Sequence, residues 1–426
     1  MKKFLILLSF ALFLSGCGNE QNPNLPLAAT ETIPIPTPTL KVTIPPDPTP
    51  TTKATDTPQP TIPPVDQPKI ILYIGDGMGS EHRTAGQYYM VGEVRQLAMD
   101  SLPVHGWLGT APLDDGMTES ASAATALATG QKTNTGLISQ DLAGNPITTI
   151  LEHAQELGMA TGLVSTKHIT DATTAAFAAH VESNAKGTEV AEQFLVHGVN
   201  VIFGGGENYF LPQGMTGCHP DAGARADGRN LVEEANESGY TFVCDAQAFK
   251  ALDAQTTSFV LGLFADESME RPFTPSLAEM TQTAIEILSQ NPNGYFLVVE
   301  GAMIDTASHY HESINMMEDV AGLDEAISQG LTYAEKDDEI LILVTADHET
   351  GGIFIELNPN DLDTQDGPFQ MPSGAEFYIT WTTADHTSVN VPVTALGPGA
   401  ERLRGLHENT VVFDLMYEYL GSPGHP

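Results

Sequence analysis

The sequence predicts an α/β domain built as a doubly wound, mostly parallel sheet with helices on both faces. Short apolar runs recur from Lys69 to the C-terminus, several of them continuous rather than alternating, as strands buried on both faces require. Stretches with apolar residues at helical spacing lie between them. Of the 426 residues, 41% are hydrophobic, enough to bury a large core and to exclude disorder throughout or a collagen-like chain.

In chain order, the first strand is expected at Lys69 to Ile74, an unbroken apolar run after a Pro-rich segment. Ile147, Ile150, Leu151, Ala154 and Leu157 then form a helical stripe leading into a strand at Ala160 to Ser165. Further strands are expected at Val199 to Phe203 and Phe259 to Phe264. Ser276 and Glu279 make a capping box ahead of the stripe Leu277, Met280, Ala284, Ile287 and Leu288, which precedes a strand at Tyr295 to Val299. A third stripe, Ile314, Met317, Val320, Ile327 and Leu331, leads to strands at Glu339 to Thr345 and Val391 to Leu396. Strand and helix alternate without an internal repeat, the pattern of parallel strands joined by helical crossovers.

The ends of the chain carry an address. Lys2 and Lys3 precede the eleven-residue run Phe4 to Leu14, too short to span a bilayer and suited to a removable export signal. Leu14-Ser15-Gly16-Cys17 resembles the bacterial lipoprotein box, in which cleavage precedes a cysteine that then carries lipid; an ordinary secretory signal is the alternative. Residues 18 to 68 are dense in Pro and Thr and have no helical or strand period, so they read as an extended tether. The expected division is therefore 1–17 signal, 18–68 tether and 69–426 globular domain, on the outer side of a cell membrane. In that oxidising setting Cys218 and Cys244 could pair; the sequence does not supply their separation.

Composition narrows the partners. With 55 acidic against 17 basic residues the formal net charge is −38, which excludes phosphate-neutralising contact with nucleic acid. Three cysteines with no CxxC pair argue against a structural zinc knuckle or a thioredoxin-type centre as the source of chemistry.

Polar residues gather where the strands end, the place where such sheets bind ligands. Asp76 sits among glycines in Gly75-Asp76-Gly77-Met78-Gly79, either facing an ion or simply ordering a turn. Ser120 opens the alanine-rich helix ending near Gly130; it is a plain N-cap or a nucleophile placed at the positive end of a helix. Asp305 and His309 stand at i and i+4, one turn apart on one helix face, suited to sharing a divalent ion or to forming a solvent-facing pair. His311, further along, would point elsewhere. Asp347-His348 follow one strand and Asp385-His386 precede another, and mixed imidazole and carboxylate donors suit zinc.

Taken together, these motifs resemble the alkaline phosphatase family in type, order and spacing. The likeness extends to Asp171-Ala172-Thr173, Gly204-Gly205-Gly206 and Leu396-Gly397-Pro398-Gly399. The resemblance implies one zinc on Asp305, His309 and His386, and a second on Asp76, Asp347 and His348 beside the nucleophile Ser120. It implies a magnesium on Asp76, Thr173 and Glu300, with Asp171 reaching it through water. The implied activity is hydrolysis of phosphate monoesters through a phosphoserine, the implied partners are small phosphorylated substrates, and a homodimer is the expected assembly. Two cations about 4 Å apart can hold the attacking and leaving oxygens of an in-line phosphoryl transfer. They also let so acidic a chain attract phosphate, because bound ions dominate a local field.

The sequence departs from the family pattern in one respect. Many members carry an arginine where Asn184 stands, the nearest cation is Lys186, and the acid before the nucleophile is Glu119 rather than aspartate. A lysine offers a point charge instead of a planar fork, so the phosphate grip is expected to be rebuilt through Asn184 or Lys186. A phosphodiesterase or nucleotide pyrophosphatase of the same superfamily is the competing enzyme reading, and a surface protein capturing phosphate or metal is the non-catalytic one. Sulfatase chemistry is disfavoured, since no Cys or Ser lies in a C/S-x-P-x-R context.

Overall fold

A computed structural model describes residues 67–92, 96–114, 116–357 and 365–421. Cys17 and nearly all of the Pro/Thr-rich stretch lie outside the described residues. The chain divides into units Met1–Gln59 and Pro60–Pro426, and every element below belongs to the second.

Eight strands in chain order are β1 (Lys69–Gly75), β2 (Val104–Gly109), β3 (Ala160–His168), β4 (Val201–Gly205), β5 (Thr241–Val243), β6 (Val260–Leu263), β7 (Tyr295–Gly301) and β8 (Ile340–Thr345). With Val391–Leu396 and Gly405–Glu408 they form a ten-stranded sheet. Its order is Gly405–Glu408, β2, Val391–Leu396, β8, β1, β7, β3, β4, β6, β5. Strands from β8 to β5 are mutually parallel, and Val391–Leu396 runs antiparallel to both β8 and β2. The apolar runs account for this: Ile70 to Ile74, in the middle of the sheet, are fully buried, so each side chain of β1 has a covered face to enter.

Two helical layers flank the sheet. Helices Ser80–Met90 and Leu277–Leu288 both pack against Ser313–Ala334, while Ser120–Thr129, Ile150–Glu156, Ala172–Ala178 and Thr410–Tyr419 form a second group. The capping box at Ser276 and Glu279 is present, each residue bonding the other's backbone N–H.

The structure adds elements the sequence did not announce. β2, β5 and Gly405–Glu408 are short or half-exposed, so they lack a long apolar run. Strands Ile353–Glu356, Glu376–Trp381 and Asp366–Gln370 form a separate antiparallel sheet. Glu349–Thr350 pairs with His386–Thr387 in a two-residue ladder. Cys218 and Cys244 are joined by a disulfide, with Cα atoms 6.3 Å apart.

Candidate metal centre and nucleophile

β1, β7 and β8 are adjacent, and their carboxyl ends deliver acids to one place. Asp76 follows β1 in a turn that only glycine permits next to it. Gly77 has φ +70°, and a Cβ there would stand 2.7 Å from Thr350 Oγ1 and 3.0 Å from Asp305. The Gly77 N–H donates to Asp347 Oδ1 (3.2 Å), tying the β1 turn to the β8 end.

Ser120 is not the cap of its helix. Glu119 is the N-cap, its carboxylate accepting from the N–H groups of Ala121 (2.9 Å), Ser122 (2.8 Å) and Gly136 (3.0 Å). The Ser120 hydroxyl is thereby released from capping and lies 3.3 Å from Asp76 Oδ1 and 3.2 Å from His348 Nε2.

Asp305 and His309 share the helix Met303–His309, and the i, i+4 spacing places Asp305 Oδ1 3.3 Å from His309 Nε2. His386 arrives from the two-residue ladder, with Nε2 3.0 Å from His309 Nε2 and 3.6 Å from Asp305 Oδ1. His348 Nε2 is 3.4 Å from both Asp76 Oδ1 and Asp347 Oδ2. The outer ring nitrogens are held: His309 Nδ1 faces Ala384 O (2.6 Å), His386 Nδ1 faces Thr118 O (2.8 Å) and His348 Nδ1 faces Thr350 Oγ1 (3.3 Å). Such outer contacts turn Nε2 of each ring inward. Thr350 also donates to Asp305 Oδ1 (2.5 Å), a supporting role that the sequence analysis missed.

The donor atoms fit cations. Asp305, His309 and His386 form one group, and Asp76, Asp305 and His348 another, each with ligand atoms within 4.8 Å of one another. Asp347 adjoins the second through His348. Farther along, Ser165 donates to Glu300 Oε2 (2.7 Å), while Glu300 Oε1, Thr173 Oγ1 and Asp347 Oδ2 are buried without a hydrogen-bond partner among the described residues. Buried oxygens left idle in this way are costly unless an ion or water claims them.

Electrostatics points the same way. Burial, then the neighbouring Asp347, Asp305 and Glu300, hold the Asp76 carboxyl well above the usual range. Glu300 is pushed up to about 8 by burial and by Asp171. Burial would raise Asp305 too, yet hydrogen bonds from His309 and His386 hold it well below the ordinary value. The same bond from Asp305 lifts His309 to about 9, whereas burial depresses His348. Crowded acids of this kind are balanced by multivalent cations.

One cation is already present. Lys167, at the end of β3, places Nζ 2.5 Å from Asp171 Oδ2, and its charge is felt by Asp76 and Glu300. The sequence analysis passed over it. Lys186, by contrast, ion-pairs with Glu182 and Glu189, and no contact among the described residues links it or the exposed Asn184 to the cluster. His311 bonds Thr383 O and stacks on Trp381, outside the metal groups.

Comparison with known proteins gives a consistent result. The family model described as alkaline phosphatase matches residues 68–376. Alkaline phosphatase 4 of Bacillus subtilis is 32% identical, over 82% of this chain and 88% of its own. Streptomycin-6-phosphate phosphatase of Streptomyces griseus is 34% identical, over 84% and 91%. Among solved structures, alkaline phosphatase from the Antarctic bacterium TAB5 superposes with TM-score 0.72 at 26% identity, covering 83% of this chain and 99% of that one. A variant of that protein has Mg bound in its M3 site.

Proposed function

The chain belongs to the alkaline phosphatase family and is a metal-dependent phosphomonoester hydrolase, and from that premise we propose that it works through a phosphoserine formed on Ser120. The observation that carries this reading is the Ser120 hydroxyl, released from capping by Glu119 and lying between Asp76 and His348.

Asp305, His309 and His386 would hold one zinc and Asp76, Asp347 and His348 the other, with Asp76, Thr173, Glu300 and Asp171 around a magnesium. Bound there, the ions supply Lewis acidity, lowering the pKa of the serine hydroxyl and of a water and neutralising developing charge. The rest falls to the chain. Ser120 Oγ, held 3.3 Å from Asp76 Oδ1 and 3.2 Å from His348 Nε2 and so against the second donor group, gives its proton to solvent water and attacks phosphorus. The bond from phosphorus to the ester oxygen breaks and the alcohol leaves with a proton. Attack by water on the phosphoserine then releases phosphate and restores the hydroxyl.

The same proposal places the enzyme outside the cytoplasm, tethered by residues 18–68 and lipid on Cys17, and working as a homodimer. No described helix is long and apolar enough to cross a membrane. The test is turnover of a chromogenic phosphate monoester and of its diester by the zinc- and magnesium-loaded full chain. Monoester preference, with Ser120→Ala reducing turnover by about a thousandfold or more, is the expected result. A Ser120→Ala protein that retains wild-type turnover would overturn the phosphoserine.

A further inference from the structure

The third cation position already has a charged occupant nearby. β3 breaks register with β4 between Val164 and His168, and such irregularities re-aim side chains beside functional sites. Within that stretch Lys167 N–H donates to Ser165 Oγ (3.1 Å), and Ser165 in turn donates to Glu300. The Lys167 ammonium reaches Asp171 Oδ2 at 2.5 Å, while His168 Nε2 stands 3.5 Å from the other Asp171 oxygen. Both oxygens of Asp171 are therefore engaged, whereas Thr173 Oγ1 and Glu300 Oε1, on fully buried residues, have no hydrogen-bond partner among the described residues.

We propose that Lys167 is the resident counter-cation of the third position, which occupies Asp171 in advance and makes the protein take up magnesium weakly. This rests on the two-zinc reading above. A dication entering among Thr173, Glu300 and Asp171 meets a like charge already seated on Asp171, in a site where burial keeps screening low. To draw on Asp171, directly or through a water, it must also compete with the ammonium for that carboxylate. Removal of the ammonium leaves the buried Asp171 with only the His168 imidazole beside it, so a dication gains the freed oxygen and affinity for magnesium rises.

Calorimetric titration of magnesium into the zinc-loaded full chain tests this. Lys167→Met should bind magnesium about tenfold or more tightly than wild type, and Lys167→Arg, which keeps the charge, should stay within about threefold of it. Zinc is counted by mass spectrometry in each protein, and two per chain is expected throughout. Equal or weaker magnesium binding by a Lys167→Met protein that keeps both zincs would overturn the proposal. So would loss of zinc confined to the neutral variant, since Lys167 would then be supporting the zinc ligands. Failure of wild type to hold two zincs would count against the two-zinc reading itself. Should Lys167→Met lose its cooperative thermal transition, Lys167→Gln decides by the same readout.

Discussion

His309 Nε2 and His386 Nε2 stand 3.0 Å apart, seventy-seven residues apart in sequence, and both turn towards Asp305 Oδ1. Two imidazole nitrogens aimed at one carboxylate oxygen are a donor set that suits a common cation. His386→Ala should leave one zinc per chain in place of two, measured by mass spectrometry of the metal content, and lower kcat/KM by about a hundredfold or more.

Thr350 acts on the same centre without being a ligand. It donates to Asp305 and faces His348, so it orients one donor from each group. Thr350→Val, similar in shape but unable to donate, should weaken zinc binding by about 10- to 100-fold in a competition titration with a chelator.

Glu119 satisfies three backbone N–H groups around Ser120. Glu119→Ala forfeits them and lets Ser120 compete for the vacant capping role. Chemical denaturation should show a loss of about 1–2 kcal/mol, accompanied by a drop in kcat.

The crowded acids set a pH dependence for the metal-free protein. Glu300, raised to about 8, and Asp76, also raised, bind protons in the folded state that the unfolded chain has released. Their contribution to stability is present at low pH and lost as pH climbs towards 8. His309, raised to about 9, acts in the same sense, favouring the fold below its unfolded pKa and losing that advantage as pH passes 9. The melting temperature of chelator-treated protein should therefore fall between pH 6 and 9, and zinc and magnesium should flatten the slope.

The Cys218–Cys244 disulfide closes a loop with a sequence separation of 26. Cys244→Ser should shift the denaturation of that region by about 3 kcal/mol, read from protection against proteolysis or from the denaturant midpoint.

The large sheet was legible because its middle strands are continuous apolar runs with crossovers long enough to show a helical stripe. β5 and the ladder Glu349–Thr350 with His386–Thr387 were not, since a three- or two-residue strand has no period to detect. The metal-binding groups could be read from carboxylate and imidazole motifs at strand ends, and the structure brings Asp76, Asp305, His309, Asp347, His348 and His386 together. Lys167 escaped notice because β3 was expected to stop at Ser165; the strand runs on to His168, and its register shift turns an apparently ordinary loop lysine inward. Asn184 and Lys186 drew attention by their place after Asp171-Ala172-Thr173, and among the described residues no contact links either to the cluster, Lys186 being engaged by two surface glutamates.

β1 lies at the heart of the sheet, yet Lys69 pairs with Tyr295 on one side and Ile340 on the other. During biosynthesis the first strand made is thus an orphan until more than two hundred further residues have emerged, and contacts so distant in sequence form slowly. An oily segment waiting that long invites misassociation unless the chain is escorted. A product that terminates before His386 lacks one of the three donors of the Asp305 group.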